Sequence, residues 1–112
     1  FNIKIKIIIM TIKVTDSTYN DFIESGVSLL DFKAEWCRPC LTLSPIIDEL
    51  SNEYTDVKIG KIDADENSDT ARQLGVRSIP TIIIFKDGVE VERHTGVLPK
   101  NRLKSLIDKH ID

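Results

Sequence analysis

Apolar and polar positions change period along this chain, and the changes mark out its elements. Thr11-Ile12-Lys13-Val14-Thr15 alternates and predicts a short strand. Asp16 or Ser17 offers an N-cap, Tyr19, Phe22 and Ile23 fall at helical spacing, and Gly26 ends that helix. Ser28 to Phe32 is largely apolar, as a central parallel strand is. From Arg38 to about Tyr54 the period becomes 3.6, with Leu43, Ile46, Ile47, Leu50 and Tyr54 on one face. Pro39 suits the first turn of that helix, where a missing N–H costs nothing, whereas Pro45 lies inside it and predicts a kink. Val57 to Asp63 is the next strand, and Asn67 or Ser68 caps a short helix through Leu74 that Gly75 closes. Thr81 to Phe85 reads as a buried strand. Lys86-Asp87-Gly88 is a hairpin turn signal, and Val89 to His94 returns antiparallel until Gly96 breaks it. Pro99 to about His110 is an amphipathic helix with Leu103, Leu106, Ile107 and His110 on one face.

The order is βαβαβαββα. Parallel strands need helical crossovers and the last two strands form a hairpin, so the prediction is an α/β fold with a single mixed central β-sheet and helices on both faces. A chain of 112 residues is one domain, large enough for a hydrophobic core without disulfide staples. The net charge of −3 gives no basic footprint for nucleic acid, and no apolar run approaches the roughly 18 residues of a membrane span.

Residues 1–9 stand apart. They read Phe-Asn-Ile-Lys-Ile-Lys-Ile-Ile-Ile and precede Met10, the only methionine. Lysines interrupt the apolar run and no small-residue cleavage site follows, which argues against a signal peptide. The expectation is a non-native or start-site extension over 1–9 and the folded domain over 10–112. The rival reading is an edge strand, which if exposed would promote association. Without Lys4 and Lys6 the net charge becomes −5.

The candidate chemistry is concentrated in Trp36-Cys37-Arg38-Pro39-Cys40, which holds both cysteines and lies where a strand gives way to a helix. Two cysteines are too few for a secreted disulfide scaffold, and a lone Cys-x-x-Cys pair is catalytic or metal-binding more often than structural. A closed zinc site needs four ligands, and the chain adds only His94 and His110, both far along it, so no metal is expected. Helix N-termini favour a thiolate, because unpaired N–H groups and the helix dipole face the anion. Cys37, at the helix start, is therefore expected to be the nucleophile. Cys40, about one turn further in and expected to be more buried, resolves the mixed disulfide. Structural thiols in a fold without redox activity remain the bland alternative. Asp31 lies on the strand before the cysteines, flanked by Leu30 and Phe32. Pattern alone leaves two readings open: a solvent-facing residue, or a buried carboxylate acting as base for the Cys40 thiol.

Beyond the cysteines, Val27 to Cys40, Pro45, Lys61-Ile62-Asp63-Ala64-Asp65, Gly75-Val76-Arg77-Ser78-Ile79-Pro80-Thr81, Phe85-Lys86-Asp87-Gly88 and Gly96 together resemble the thioredoxin family, over residues 11 to about 110. The resemblance implies the thioredoxin fold and a thiol-disulfide oxidoreductase that reduces protein disulfides. It implies that Asp31 is the buried aspartate, Lys61 its cationic neighbour, and Pro80 a cis-proline beside the cysteines. It implies that Trp36, Arg38, Ile79, Pro80 and Gly96 belong to the surface that receives substrate. No bound cofactor is implied. NADPH acts only indirectly, through a thioredoxin reductase that recharges the dithiol, and the expected setting is a cytoplasmic monomer. Arg38 stands where the family usually has glycine, which predicts a more stable Cys37 thiolate, a more oxidising pair and a bias toward acidic partners. Leu41 replaces a common lysine, Ser78 a frequent glycine, and Lys33 a large aromatic. The last change leaves the shielding of Asp31 and the fixing of Trp36 open. A dedicated disulfide oxidant or isomerase, and a docking scaffold indifferent to its cysteines, are the alternative functions.

Overall fold

The computed structural model describes residues 11–111; the expected extension over 1–9 lies outside them. The elements run β1 (Ile12–Val14), α1 (Tyr19–Ile23), β2 (Val27–Lys33), α2 (Arg38–Glu53), β3 (Val57–Asp63), α3 (Ser68–Gln73), β4 (Thr81–Lys86), β5 (Val89–Thr95) and α4 (Lys100–Asp108). The five strands form one mixed sheet in the order β1-β3-β2-β4-β5. β3 lies parallel to both β1 and β2, while β4 is antiparallel to β2 and β5. β2 is thus the centre of the sheet, which explains its near-continuous apolar run: neither face meets water.

Helices cover both faces, as the alternation of periods predicts. On one side Leu43, Ile47 and Leu50 of α2 and Leu103 and Ile107 of α4 pack on Leu29, Ile59 and Ile84. On the other, Tyr19, Phe22 and Ile23 of α1 and Ala71 of α3 pack on Leu30, Phe32, Ile62 and Ile83. Alternate residues of β2 therefore feed opposite cores, and each fully buried aliphatic or aromatic side chain contributes about 1.5–3 kcal/mol. Gly60 sets how closely α1 and β1 approach β3. A Cβ there would lie 2.8 Å from both Phe22 Cζ and Val14 Cγ2.

Pro45 lies inside α2, which runs as one helix from Arg38 to Glu53. One local expectation changes. Neither Asp16 nor Ser17 caps α1, whose N-cap position is Thr18. Instead Asp16 Oδ1 accepts hydrogen bonds from Thr70 N (2.9 Å) and Thr70 Oγ1 (2.6 Å), in the first turn of α3. The carboxylate satisfies an orphan donor of a helix remote in sequence. Those bonds hold its pKa below the usual carboxylate value.

Candidate functional site

β2 runs straight into the cysteine loop. Asp31 is its fifth residue, Ala34 follows the strand, and Ala34, Cys37 and Cys40 pack together with Ile79 against them. Cys37 is the N-cap residue of α2, with extended backbone, Arg38 is the first helical residue and Pro39 follows. Proline fits there because its ring presets helical φ where an N–H has no helical partner. The two cysteines are joined in a disulfide, with Cα atoms 5.3 Å apart.

Cys37 and Cys40 are both buried, 3% and 2% exposed, so burial does not separate them as the expectation of a deeper Cys40 supposed. Both belong to one small apolar cluster, and that cluster shields them alike. Hydrogen bonding separates them instead. Cys40 N donates to Cys37 Sγ at 3.2 Å, so the helix N-terminus is directed at the Cys37 sulfur. The Ile79 carbonyl oxygen lies 3.8 Å from the same sulfur. The Ile79–Pro80 peptide is cis.

Gly96 N donates to the Pro80 carbonyl at 2.8 Å. That tie attaches the end of β5 to the proline, and φ of +101° at Gly96 is a conformation that favours glycine. Trp36 is 71% exposed, which excludes a core-packing role. Its indole Nε1–H donates to Asp65 Oδ2 at 2.6 Å, so it is tethered despite Lys33. A groove of about 580 Å³ runs beside it, lined by Asp65, Val76, Arg77 and Ile79 among others. Arg38 and Leu41 are exposed on the first turn of α2.

Asp31 is fully buried, at 0% exposure, and Lys33 does not open it to water. Among the described residues neither carboxylate oxygen has a hydrogen-bond partner. Burial disfavours the charged form and pushes the pKa up to about 7, against the opposing pull of Lys61 and Lys33. Lys61 is near Asp31 but bonded elsewhere. Its Nζ donates to Ser44 Oγ at 2.6 Å and pairs with Asp48 Oδ1 at 2.7 Å, both on α2. Ser44 and Asp48 carry no signal in the sequence alone, and Asp65 enters there only as the last residue of a run that carries the family resemblance, with no role assigned. Each is a polar residue whose partner comes from another element, and only the register of β3 against α2 and the cysteine loop brings them together.

Among the described residues no group of three or more His, Cys, Asp or Glu is placed to hold a metal ion, and no helix is long and apolar enough to cross a membrane. A mixed sheet flanked by helices that presents a Cys-x-x-Cys disulfide at a helix N-terminus, beside a cis-proline, defines a thiol-disulfide oxidoreductase whose redox group is its own cysteine pair. The thioredoxin family profile matches residues 10–109. A thioredoxin of Staphylococcus saprophyticus is 48% identical over 101 residues, covering 89% of this chain and 97% of the relative. A Staphylococcus aureus thioredoxin is 46% identical with the same coverage. Among solved structures, a mutant thioredoxin from Halobacterium salinarum superposes with a TM-score of 0.84 at 38% identity, over 91% of each chain. The chain belongs to the thioredoxin family, and its partners in general are a reductase and disulfide-bearing substrates.

Proposed function

We propose that this chain reduces protein disulfides in the cytoplasm as a monomer, with Cys37 as nucleophile and Cys40 as resolving thiol. In the dithiol form the Cys37 thiolate attacks one sulfur of a substrate disulfide. A Cys37–substrate bond forms and the other substrate sulfur leaves as thiolate. Asp31 carboxylate takes the Cys40 proton, and the Cys40 thiolate attacks Cys37 Sγ. The intramolecular disulfide closes, and the second substrate sulfur leaves and is protonated. Two electrons pass from the cysteine pair to the substrate. A thioredoxin reductase, itself supplied by NADPH, returns them.

The observation that carries this assignment is the Cys40 N–H to Cys37 Sγ hydrogen bond, because it stabilises negative charge on one sulfur of the pair. Trp36, Ile79 and Pro80 offer the substrate a surface around that sulfur. Gly96 keeps it free of a side chain, and Arg38 adds a cation to its rim. Lys61, together with Lys33, opposes the effect of burial and favours the ionised form of Asp31. A reductase that must be kept as a dithiol belongs in a reducing compartment. The test is reduction of insulin disulfides coupled to a thioredoxin reductase and NADPH. The expected result is NADPH oxidation that depends on this chain. Absence of turnover, while dithiothreitol still opens the Cys37–Cys40 disulfide, would refute the proposal.

A further inference from the structure

Lys61 raises a question that the exchange chemistry does not answer. A buried carboxylate and a lysine on neighbouring strands, at paired positions of β2 and β3, would ordinarily form an ion pair. Here the ammonium is turned away. Ser44 and Asp48 lie one helical turn apart on the same flank of α2, and both hold Lys61 Nζ, at 2.6 and 2.7 Å. Asp31 is left with no hydrogen-bond partner on either oxygen among the described residues. A carboxylate bound directly to an ammonium is an acid-range group and a poor proton acceptor near neutrality.

We propose that Ser44 and Asp48 are positioning residues that hold the Lys61 ammonium off Asp31, near enough to act on it through space but not to bond it, so that Asp31 can take and return the Cys40 proton. The assignment rests on the reading of Asp31 as the base for Cys40. The charged groups that act on Asp31 are Lys61 of β3, Lys33 of its own strand and Asp48 of α2; its β4 partner, Ile82, is apolar. Lys33 is itself drawn toward Glu35, 3.4 Å away, and α2 holds Lys61, the cation with the larger effect on Asp31, from the helix side.

The test is a carbon-13 carboxylate NMR titration of Asp31 in the oxidised protein, which requires no turnover. Asp48→Asn removes a negative charge and also frees Lys61, so it cannot by itself separate the two effects. Ser44→Ala changes no charge, and it can act on Asp31 only through where Lys61 sits. The expected result is a lower midpoint in both variants, with about a tenfold fall in proton affinity in Asp48→Asn and a smaller fall in Ser44→Ala. In a Lys61→Gln background the Ser44→Ala shift disappears and the Asp48→Asn shift falls by more than half. Asp48→Glu, which restores the charged partner, returns the midpoint toward wild type. A midpoint unmoved by Ser44→Ala, or Asp48→Asn shifts equal in the two backgrounds, would overturn the proposal. A chain that shows the expected titrations but no insulin reduction retains this inference and loses the reductase reading.

Discussion

Asp16 and Asp31 are the same residue type in opposite settings. Asp16 is half-buried at the end of β1 and receives two hydrogen bonds from Thr70. Asp31 is fully buried in the central strand and receives none from the described residues. Donors favour the carboxylate form and lower one pKa; burial without donors disfavours it and raises the other to about 7. The difference separates a carboxylate that holds structure together from one free to move a proton. What decides is the supply of donors, and the central strand of the sheet has none to spare because its backbone groups are paired on both sides.

The largest expected effect breaks the contrast at Asp31. Its cost to the fold is fully present above about pH 7 and disappears as the pH falls toward 3.8, because the folded state then holds the proton more tightly than the unfolded one. Relative to wild type, Asp31→Asn gains on the order of 4 kcal/mol of stability between pH 4 and pH 8. Denaturant melts of the oxidised proteins at both pH values measure this, and comparing two pH values cancels the fixed cost of burying an amide. Release of reduced substrate by Asp31→Asn slows by roughly 100-fold, the lower end of general-base contributions.

Next in size is Trp36→Phe, which keeps an aromatic beside Cys37 but loses the bond to Asp65. At about 1 kcal/mol for that bond, kcat/KM for protein disulfides falls roughly fivefold, while reduction of a small aromatic disulfide is unchanged. Asp16→Ala sharpens the other side of the comparison. Its pKa is lowered in the fold, so its stabilisation is present above pH 3.8 and lost as the pH falls below that value. Thermal melts should show a loss at pH 7 that shrinks in acid, the reverse of the trend at Asp31. The smallest effect is at exposed Arg38. Arg38→Gly makes the pair more reducing by about 10 mV, equivalent to about 0.5 kcal/mol for a charge at a helix terminus, measured against a glutathione redox buffer.

The elements were legible because each obeys one period. Strand β3 and helix α2 come out within a residue of their boundaries, and Gly26, Gly75 and Gly96 lie just past the ends of α1, α3 and β5 at positive φ. The cysteine pair and its place at the start of a helix were equally plain. Asp31 was not, because Lys33 continues its face and a polar residue every second position reads as an exposed edge; the resemblance to a family favoured burial where pattern could not. Asp16 was misassigned because capping was sought in the next helix along the chain, while the donor came from Thr70, 54 residues away. The burial of both Cys37 and Cys40, and the hold of Ser44 and Asp48 on Lys61, depend on how α2 lies against β3, which no local pattern encodes.

The division of labour between the two sulfurs is tested most directly by trapping. Cys40→Ser and Cys37→Ser, each fully reduced, are mixed with a disulfide-bearing protein and analysed intact by mass spectrometry. The account predicts that Cys40→Ser accumulates a covalent adduct through Cys37 and that Cys37→Ser accumulates almost none, because only the Cys37 sulfur is faced by the helix N-terminus. Equal adducts in the two variants, or adduct only through Cys40, would contradict it.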